Sequence, residues 1–415
     1  MTRGGWIEEL GPGLITGAAD DDPSGIATYS QAGAQFGYQL AWTIVLTYPL
    51  MAGIQLVSAA LGRVTGEGLS ANIRARFPSP IVYGIVLLLL VANTINIAAD
   101  VAAMGEALRL VVGGSAQIYT MLLGGLSLGL EVFVSYRKYT RLLKWLTLAL
   151  LCYAAVLFSV HIEWREVIAG TLWPHLSMGK DTVTVVVAVF GTTISPYLFF
   201  WQAAQEVEEL KAKPGGGPLR RMVRGAARHL RRIRIDTFVG MAFSNAIAWC
   251  IVVSTAATLH RAGVTHIDSA AQAAEALRPI AGNLTFAIFS LGIIGTGLLA
   301  VPVLAGSAAY ATVEALRWRG GLDLKLRQAR RFYGIIAAAT LGGALIGITK
   351  IDPMKALFWS AVINGVVAPP IMAVMMLLAR SRRVMGNHVV SAWIAALGWI
   401  ATLVMAASVV AMLAM

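Results

Sequence analysis

Two cysteines in 415 residues, Cys152 and Cys250, exclude a disulfide framework and a thiolate metal cluster, since neither has a CxxC partner or a histidine at ligand spacing. Both sit in apolar runs, where a free cysteine behaves as a small buried hydrophobe. Charge is scarce as well. Asp, Glu, Lys and Arg make up 13% of the chain against 57% hydrophobic residues, and the mean hydropathy is +0.71. That balance excludes an ordinary water-soluble domain and places the chain among membrane proteins. His161, His175, His260 and His266 lie in loops or at helix ends without metal-ligand spacing. No His/Glu metal motif, Ser–His–Asp set or phosphate-binding glycine loop occurs, which argues against a membrane enzyme. Residues 1–10 lack the basic start, apolar core and cleavage site of a signal peptide and read as a short tail.

What is present is apolar helix. A bilayer-crossing helix needs about 20 apolar residues. Eleven segments qualify, numbered here as spans one to eleven: 11–37, 39–62, 80–111, 117–135, 143–161, 183–208, 235–259, 283–314, 332–349, 354–379 and 389–413. The net charge of +12 is unevenly spread, for 26 of the 33 Lys and Arg fall at Arg3 and in the alternate connections 63–76, 137–144, 211–234, 317–331 and 380–383. This is the positive-inside pattern. It implies a multi-pass protein of the bacterial inner (plasma) membrane with a cytoplasmic N-terminus and an external C-terminus. Attraction to anionic lipid is a by-product, and no nucleic-acid partner is implied. The expected organisation is one transmembrane domain over 1–415. Residues 11–208 carry the chain through span six, and 235–413 hold spans seven to eleven. Between them, 211–234 forms a basic cytoplasmic loop with a flexible Gly/Pro-rich start and an arginine-rich helix on the membrane surface. No oligomeric state is set, and a monomer is compatible with this organisation.

Two spans are interrupted. Span one contains Asp20-Asp21-Asp22-Pro23-Ser24-Gly25. One carboxylate at bilayer depth costs about 2.5–3.5 kcal/mol on insertion scales, and here three stand beside two helix breakers. Such a segment belongs in a broken helix lining a water-filled cavity, where it would meet a cation. Span six contains Gly191-Thr192-Thr193-Ile194-Ser195-Pro196-Tyr197, with Gly, Pro and three hydroxyls in an otherwise apolar run. Broken first and sixth helices are what an inverted five-plus-five repeat predicts, with the ion site where the breaks meet. The eleventh span is an addition to the ten.

These residues resemble a family. Gly11-Pro12-Gly13 leading to Asp22-Pro23, then Ala32-Gly33-Ala34-Gln35-Phe36-Gly37-Tyr38, is similar to the first helix of the Nramp divalent-metal transporters, whose hallmark is Asp-Pro-Gly-Asn. The span-six motif sits where that family has Gly-Ala-Thr-Val-Met-Pro-His-Asn. Asp100, Asp236, Asn245, Arg330-Arg331 and Ser360 to Pro369 extend the resemblance over nearly the whole chain. It implies an all-α LeuT-like fold and transport of a divalent cation, with no cofactor besides the transported ion. The family's metal ligands are the Asp and Asn of helix one, the Met and a carbonyl of helix six, and a Gln of helix ten. Here Asp22 matches the Asp, whereas Gly25, Ser195 and Ala361 replace Asn, Met and Gln. Loss of the thioether removes the soft ligand that favours transition metals. The candidate metal-site residues are therefore oxygen-bearing or space-making: Asp22, Thr192, Ser195, Gly25, Asp21 and Asn245, with Gly25 and Ala361 expected to widen the pocket. A wide oxygen site suits Mg²⁺, which keeps several waters. The family's histidines on helix six fall at Tyr197 and Gln202, and its Glu beyond the third-helix Asp falls at Ala103, leaving a partial network of Asp100 and Arg331. The pattern is most similar to the Nramp-related magnesium transporters. It implies import of Mg²⁺, with Mn²⁺ also accepted and weak or no proton coupling; a proton-coupled Mn²⁺/Fe²⁺ importer is the alternative.

Several residues carry two readings. Adjacent helical residues point about 100° apart, so Asp20, Asp21 and Asp22 cannot all face one ion unless the backbone is extended; one of Asp20 and Asp21 lines the entry path, and the other faces outward or is protonated. The hydroxyls of Thr192 and Ser195 either contact the ion or bond back to the carbonyl one turn earlier. Asn93, Asn96 and Asn364 are either helix–helix hydrogen bonders or site residues. Glu206, Glu208 and Glu209 form either an acidic vestibule or a helix end paired with nearby arginines. An organic-solute carrier on the same fold would want a positive helix end for its carboxylate, and the aspartates have the wrong sign. A divalent-cation channel or sensor would differ by lacking saturable uptake.

Overall fold

The computed structural model describes residues 16–17, 19–134, 150–174, 179–212, 217–221, 226–349 and 352–415. Among these the chain is helical throughout, with no strand. Gly11-Pro12-Gly13, the start of span five, His175 and parts of the 211–234 connection lie outside the described residues.

The helix ends follow the sequence closely. Ser79–Val112, Ala116–Phe133, Thr285–Ala315, Arg330–Gly347, Pro353–Ala379 and Ala392–Ala414 form spans three, four, eight, nine, ten and eleven. Among the described residues, eight helical runs are long and apolar enough to cross a membrane. Eight rather than eleven reflects three details. Pro23–Thr65 joins spans one and two through the tight turn Gly37–Leu40, span five falls largely outside the described residues, and Arg330 and Arg331 lower the hydropathy of span nine. One boundary is corrected. The arginines from 228 to 234 do not form a separate surface helix but are the first turns of span seven, which runs unbroken over Ala226–Thr255. Nothing between Ala226 and Gly240 interrupts a helix, and long basic side chains are good helix formers.

Both breaks have a local cause. Asp22 precedes Pro23, and the proline ring disfavours a helical backbone at the preceding residue. Asp22 is accordingly extended (φ −74°, ψ 169°), and Pro23 opens the helix Pro23–Phe36 at a position that needs no amide hydrogen. In span six, Lys180–Thr193 ends at Ile194 (φ −113°, ψ 62°) and Pro196–Ala212 begins two residues later. The fold is LeuT-like, with its first and sixth helices broken.

The helices meet backbone to backbone at small residues. A methyl group on Gly191 would lie on the carbonyl oxygen of Ala361 and the amide of Gly365. On Gly17 it would lie on the carbonyl of Gly240. Close approach of this kind is how membrane helices gain packing without a hydrophobic drive. The arginine-rich connections gather at one end, called here the basic end. There Arg63 reaches Glu209, Arg74 bonds the carbonyl of Glu314, and Glu314 accepts the amide of Ser70 at 3.1 Å. At the far end Arg261 bonds the carbonyl of His161 at 2.7 Å and Lys355 pairs with Asp268 at 3.6 Å.

Candidate metal centre

Asp22 stands at the centre of the two breaks and is 1% exposed. Its Oδ1 accepts the amide of Gly25 at 2.8 Å and the hydroxyl of Ser24 at 2.6 Å, the N-cap arrangement that its position before the helix dictates. Its Oδ2 accepts the Asn96 amide at 3.0 Å and the Tyr197 hydroxyl at 3.4 Å. Tyr197 also reaches the carbonyl of Ala19 at 3.2 Å, so one span-six side chain spans the break in span one. The breaks are further joined by Ser24 to Thr192 at 3.4 Å and by Tyr29 to Thr193 at 3.0 Å.

The other candidates divide. Thr192 faces the break, and its hydroxyl lies 3.2 Å from where a Cβ on Gly25 would sit. Ser195 is bonded back to its own helix, donating to the carbonyls of Gly191 at 2.9 Å and Thr192 at 2.7 Å. Those carbonyls lose their helical partners at the break, and the hydroxyl replaces them. Asp21 lies on the other side of span one, against span seven, where Ser244 donates to it at 3.0 Å and to Asp20 at 2.8 Å. Asn245, the next residue, is 6% exposed and has no hydrogen-bond partner at either amide atom. Among the described residues no three acidic or imidazole groups converge on one point, as the geometry of consecutive residues requires.

The expected widening is absent in this conformation. Gly25 faces Thr192, the ring of Tyr29 at 3.3 Å and Asp22 at 3.6 Å, all measured from its hypothetical Cβ. Ala361 is fully buried with Val187, Ala188 and Val362 in the contact between spans six and ten. At both positions neighbouring groups occupy the space beside the small residue. Asp100 and Arg331 do not form a pair either. Asp100 is buried without a hydrogen-bond partner, whereas Arg331 is exposed at the basic end and stacks 4.6 Å above the Trp318 ring. Arg331 starts a helix at that end, and Asp100 lies in the middle of a long one.

Span six ends in a buried ionic network. Arg63, 2% exposed, contacts Glu206 at 3.5 Å and Glu209 at 3.2 Å, and Arg232 holds Glu209 at 2.9 Å. Gln202 links Glu206 at 3.4 Å to Thr16 at 2.5 Å. Glu208 takes the Tyr310 hydroxyl at 2.9 Å. These glutamates are thus a paired helix end. Together with the Gly17–Gly240 contact, the network packs spans one, two, six and seven against one another at the basic end. At the far end a cavity of about 350 Å³ opens between spans one, six and ten, bordered by Ala27, Gln31, Asp181, Thr184, Asp268 and Phe358.

Sequence reasoning left Asn96 between two roles and did not single out Ser24 or Ser244. Asn96 and Asp100 are four residues apart on one face of span three, and that spacing was the available signal.

A many-span helical bundle whose first and sixth helices break against each other at a buried carboxylate defines the broken-helix class of membrane transporter folds. Within that class the chain belongs to the Nramp family, since the profile described as natural resistance-associated macrophage protein-like matches residues 13–415. The chain is 27% identical over 397 residues to the divalent metal cation transporter MntH of Chromohalobacter salexigens, covering 93% of this chain and 86% of that one. It superposes on the crystal structure of the Eremococcus coleocola manganese transporter with a TM-score of 0.78 at 18% identity, over 98% of this chain and 87% of that one. It also superposes on Mhp1, a nucleobase-cation-symport-1 family transporter in a closed conformation, with a TM-score of 0.62 at 13% identity, over 97% and 91% of the two chains.

Proposed function

We propose that this protein is a secondary transporter that carries divalent cations, Mn²⁺ first and Mg²⁺ at the same site, by exposing the Asp22 region alternately to the two ends of the bundle. The observation that carries the reading is Asp22 itself, a buried carboxylate where two broken helices meet in a chain of the Nramp family. Mn²⁺ is supported by the relatives, one named a divalent metal cation transporter and another a manganese transporter. This places Mn²⁺ ahead of the Mg²⁺ preference read from sequence. The Mg²⁺ reading keeps one specific support: the groups facing the break are carboxylate, hydroxyl and carbonyl oxygens, with no thioether among Asp22, Ser24, Thr192 and Ser195. Proton coupling accompanies the Mn²⁺ reading through family kinship. Tyr197 and Gln202, standing where the family has histidines, support weak coupling.

With spans one, two, six and seven packed together at the basic end and a cavity at the far end, the conformation suits loading from the far end. With the N-terminus inside, that direction is import. A membrane potential drives a divalent ion by about twice 2.3 kcal/mol per 100 mV. The test is uptake of Mn²⁺ and Mg²⁺ into liposomes that carry a trapped pH dye. Saturable uptake of both, lost in Asp22→Ala, is expected. Uptake that never saturates would show a channel, exclusion of Mg²⁺ would sink the all-oxygen argument, and a dye response locked to metal uptake would establish proton coupling. Preserved uptake in Asp22→Ala would remove Asp22 from the centre of the site.

A further inference from the structure

Next to Asp22 in the chain stand two more buried carboxylates, Asp20 and Asp21. Both Asp22 oxygens are already engaged, by donors from Ser24, Gly25 and Asn96 and by the Tyr197 hydroxyl that Asp22 shares with the Ala19 carbonyl. A carboxylate offers about four lone-pair directions, so Asp22 is satisfied by the protein in this conformation. Asp20 and Asp21 are not. They are 0% and 4% exposed, and the contact they have in common is one hydroxyl, that of Ser244 at 2.8 and 3.0 Å. A hydroxyl has a single hydrogen to donate. Ser244 therefore satisfies one carboxylate at most or divides its hydrogen between two, and as a pair of anions Asp20 and Asp21 are left short of donors or of a positive charge. The second Asp20 oxygen has no partner, and neither amide atom of Asn245 has one. Spans one and seven run side by side here, with Gly17 on Gly240 and Gly33 beside Val252 and Thr255. That register puts Asn245 level with Asp21 and Asp20.

We propose that Asp20, Asp21, Ser244 and Asn245 form a second divalent-cation site, on the span-seven side of the break and separate from Asp22, which faces spans three and six. The donor set is two carboxylates, a hydroxyl and an amide oxygen, all hard ligands, and its two negative charges match a divalent ion. Two buried carboxylates left without counter-charge would be costly at this depth, whereas a bound ion would pair the unsatisfied oxygens. The pair precedes Asp22 in the chain, toward the basic end, so it would serve as the station through which the ion leaves once that end opens. The proposal rests on the reading that the protein carries divalent cations, and it adds where a second ion is held.

The test is the stoichiometry of Mn²⁺ binding to the purified full-length protein by equilibrium dialysis, with Mg²⁺ as competitor. Two ions per chain are expected for the unsubstituted protein. Asp22→Ala should lose transport yet keep one Mn²⁺, and Asp20→Asn/Asp21→Asn should lose the ion that Asp22→Ala keeps. Ser244→Ala should weaken that ion's binding by about tenfold, the loss of one hydrogen bond in a charged cluster. The isosteric asparagines preserve volume. Should the double variant elute as aggregate, Asp21→Asn and Ser244→Ala singly give the same readout. Loss of all bound Mn²⁺ in Asp22→Ala would overturn the second site, as would curves for the Asp20, Asp21 and Ser244 variants that overlay the parent's. Failure of the parent protein to bind or carry any divalent ion would instead overturn the transport reading, a distinct outcome.

Discussion

Arg63→Ala is the most informative single change, because Arg63 joins three helices where the bundle is closed. It belongs to span two, and its partners Glu206 and Glu209 belong to span six, which Arg232 at the start of span seven clamps from the other side. The Arg63–Glu206 pair is 2% and 1% exposed, so it is buried and not a solvent-screened surface contact. Removing one partner of a buried ion pair costs about 3–5 kcal/mol, because the remaining charge is left uncompensated. In the conformation with the basic end open, water reaches Glu206 and most of that penalty disappears. If half of it distinguishes the two conformations, the open form gains about 2 kcal/mol, or roughly a 30-fold shift in population. The assay is alkylation of a reporter at Ala19→Cys, which is 1% exposed at the closed end, on a background with Cys152 and Cys250 replaced. Labelling in liposomes should accelerate by roughly 10- to 100-fold in Arg63→Ala. An unchanged rate, with the protein intact and monodisperse, would show that the network is structural and does not hold the basic end shut.

Three further outcomes are expected. Asn96→Leu removes one of the donors on Asp22; hydrogen bonds to charged groups are worth about 1.5–3 kcal/mol, so metal uptake should fall by at least about tenfold while the melting temperature in detergent moves little. Gly191→Ala drives a methyl group into the backbone of span ten, where overpacking costs about 1–3 kcal/mol, so a lower melting temperature and weaker uptake should appear together; an unaltered melting curve would contradict the described contact. Ser195→Met puts a thioether at the break in span six, and competition assays should show Cd²⁺ and Mn²⁺ gaining on Mg²⁺ by at least about tenfold; an unchanged ranking would show that the residue at this position does not set selectivity.

The breaks were legible in the sequence because their causes are local. Proline beside aspartates and glycine in span one, and proline beside glycine and hydroxyls in span six, disfavour a continuous helix locally, whereas Pro49, Pro302, Pro369 and Pro370 sit inside unbroken apolar helices. Span ends were legible for the same reason, since hydropathy and helix propensity are properties of neighbours in the chain. Partners were not. Asn96 reaches Asp22 across 74 residues and Ser244 reaches Asp20 across 224; the Asn96–Asp100 spacing marks a polar face of span three without naming its partner, and nothing local marks Ser244. Pairing by family position misplaced Arg331, whose location at a helix start matters more than its identity. The expected widening is not seen for another reason: a small residue makes a pocket only where no neighbour fills the space, and here Thr192 and Tyr29 face Gly25, while Ala361 lies beside the Gly191–Gly365 contact of spans six and ten.

That last contact has an evolutionary side. Gly191 and Gly365 touch through main chain alone, with Ala361 beside them, and none of the three offers a side-chain donor to an ion. A saturation scan should nonetheless find this face of spans six and ten among the least substitutable in the protein. It should also find that a larger residue on one helix cannot be rescued by a smaller one on the other, since glycine already occupies both. Intolerance to mutation at these positions would mark how closely two moving helices approach, and would be misread if taken as a map of the metal's ligands.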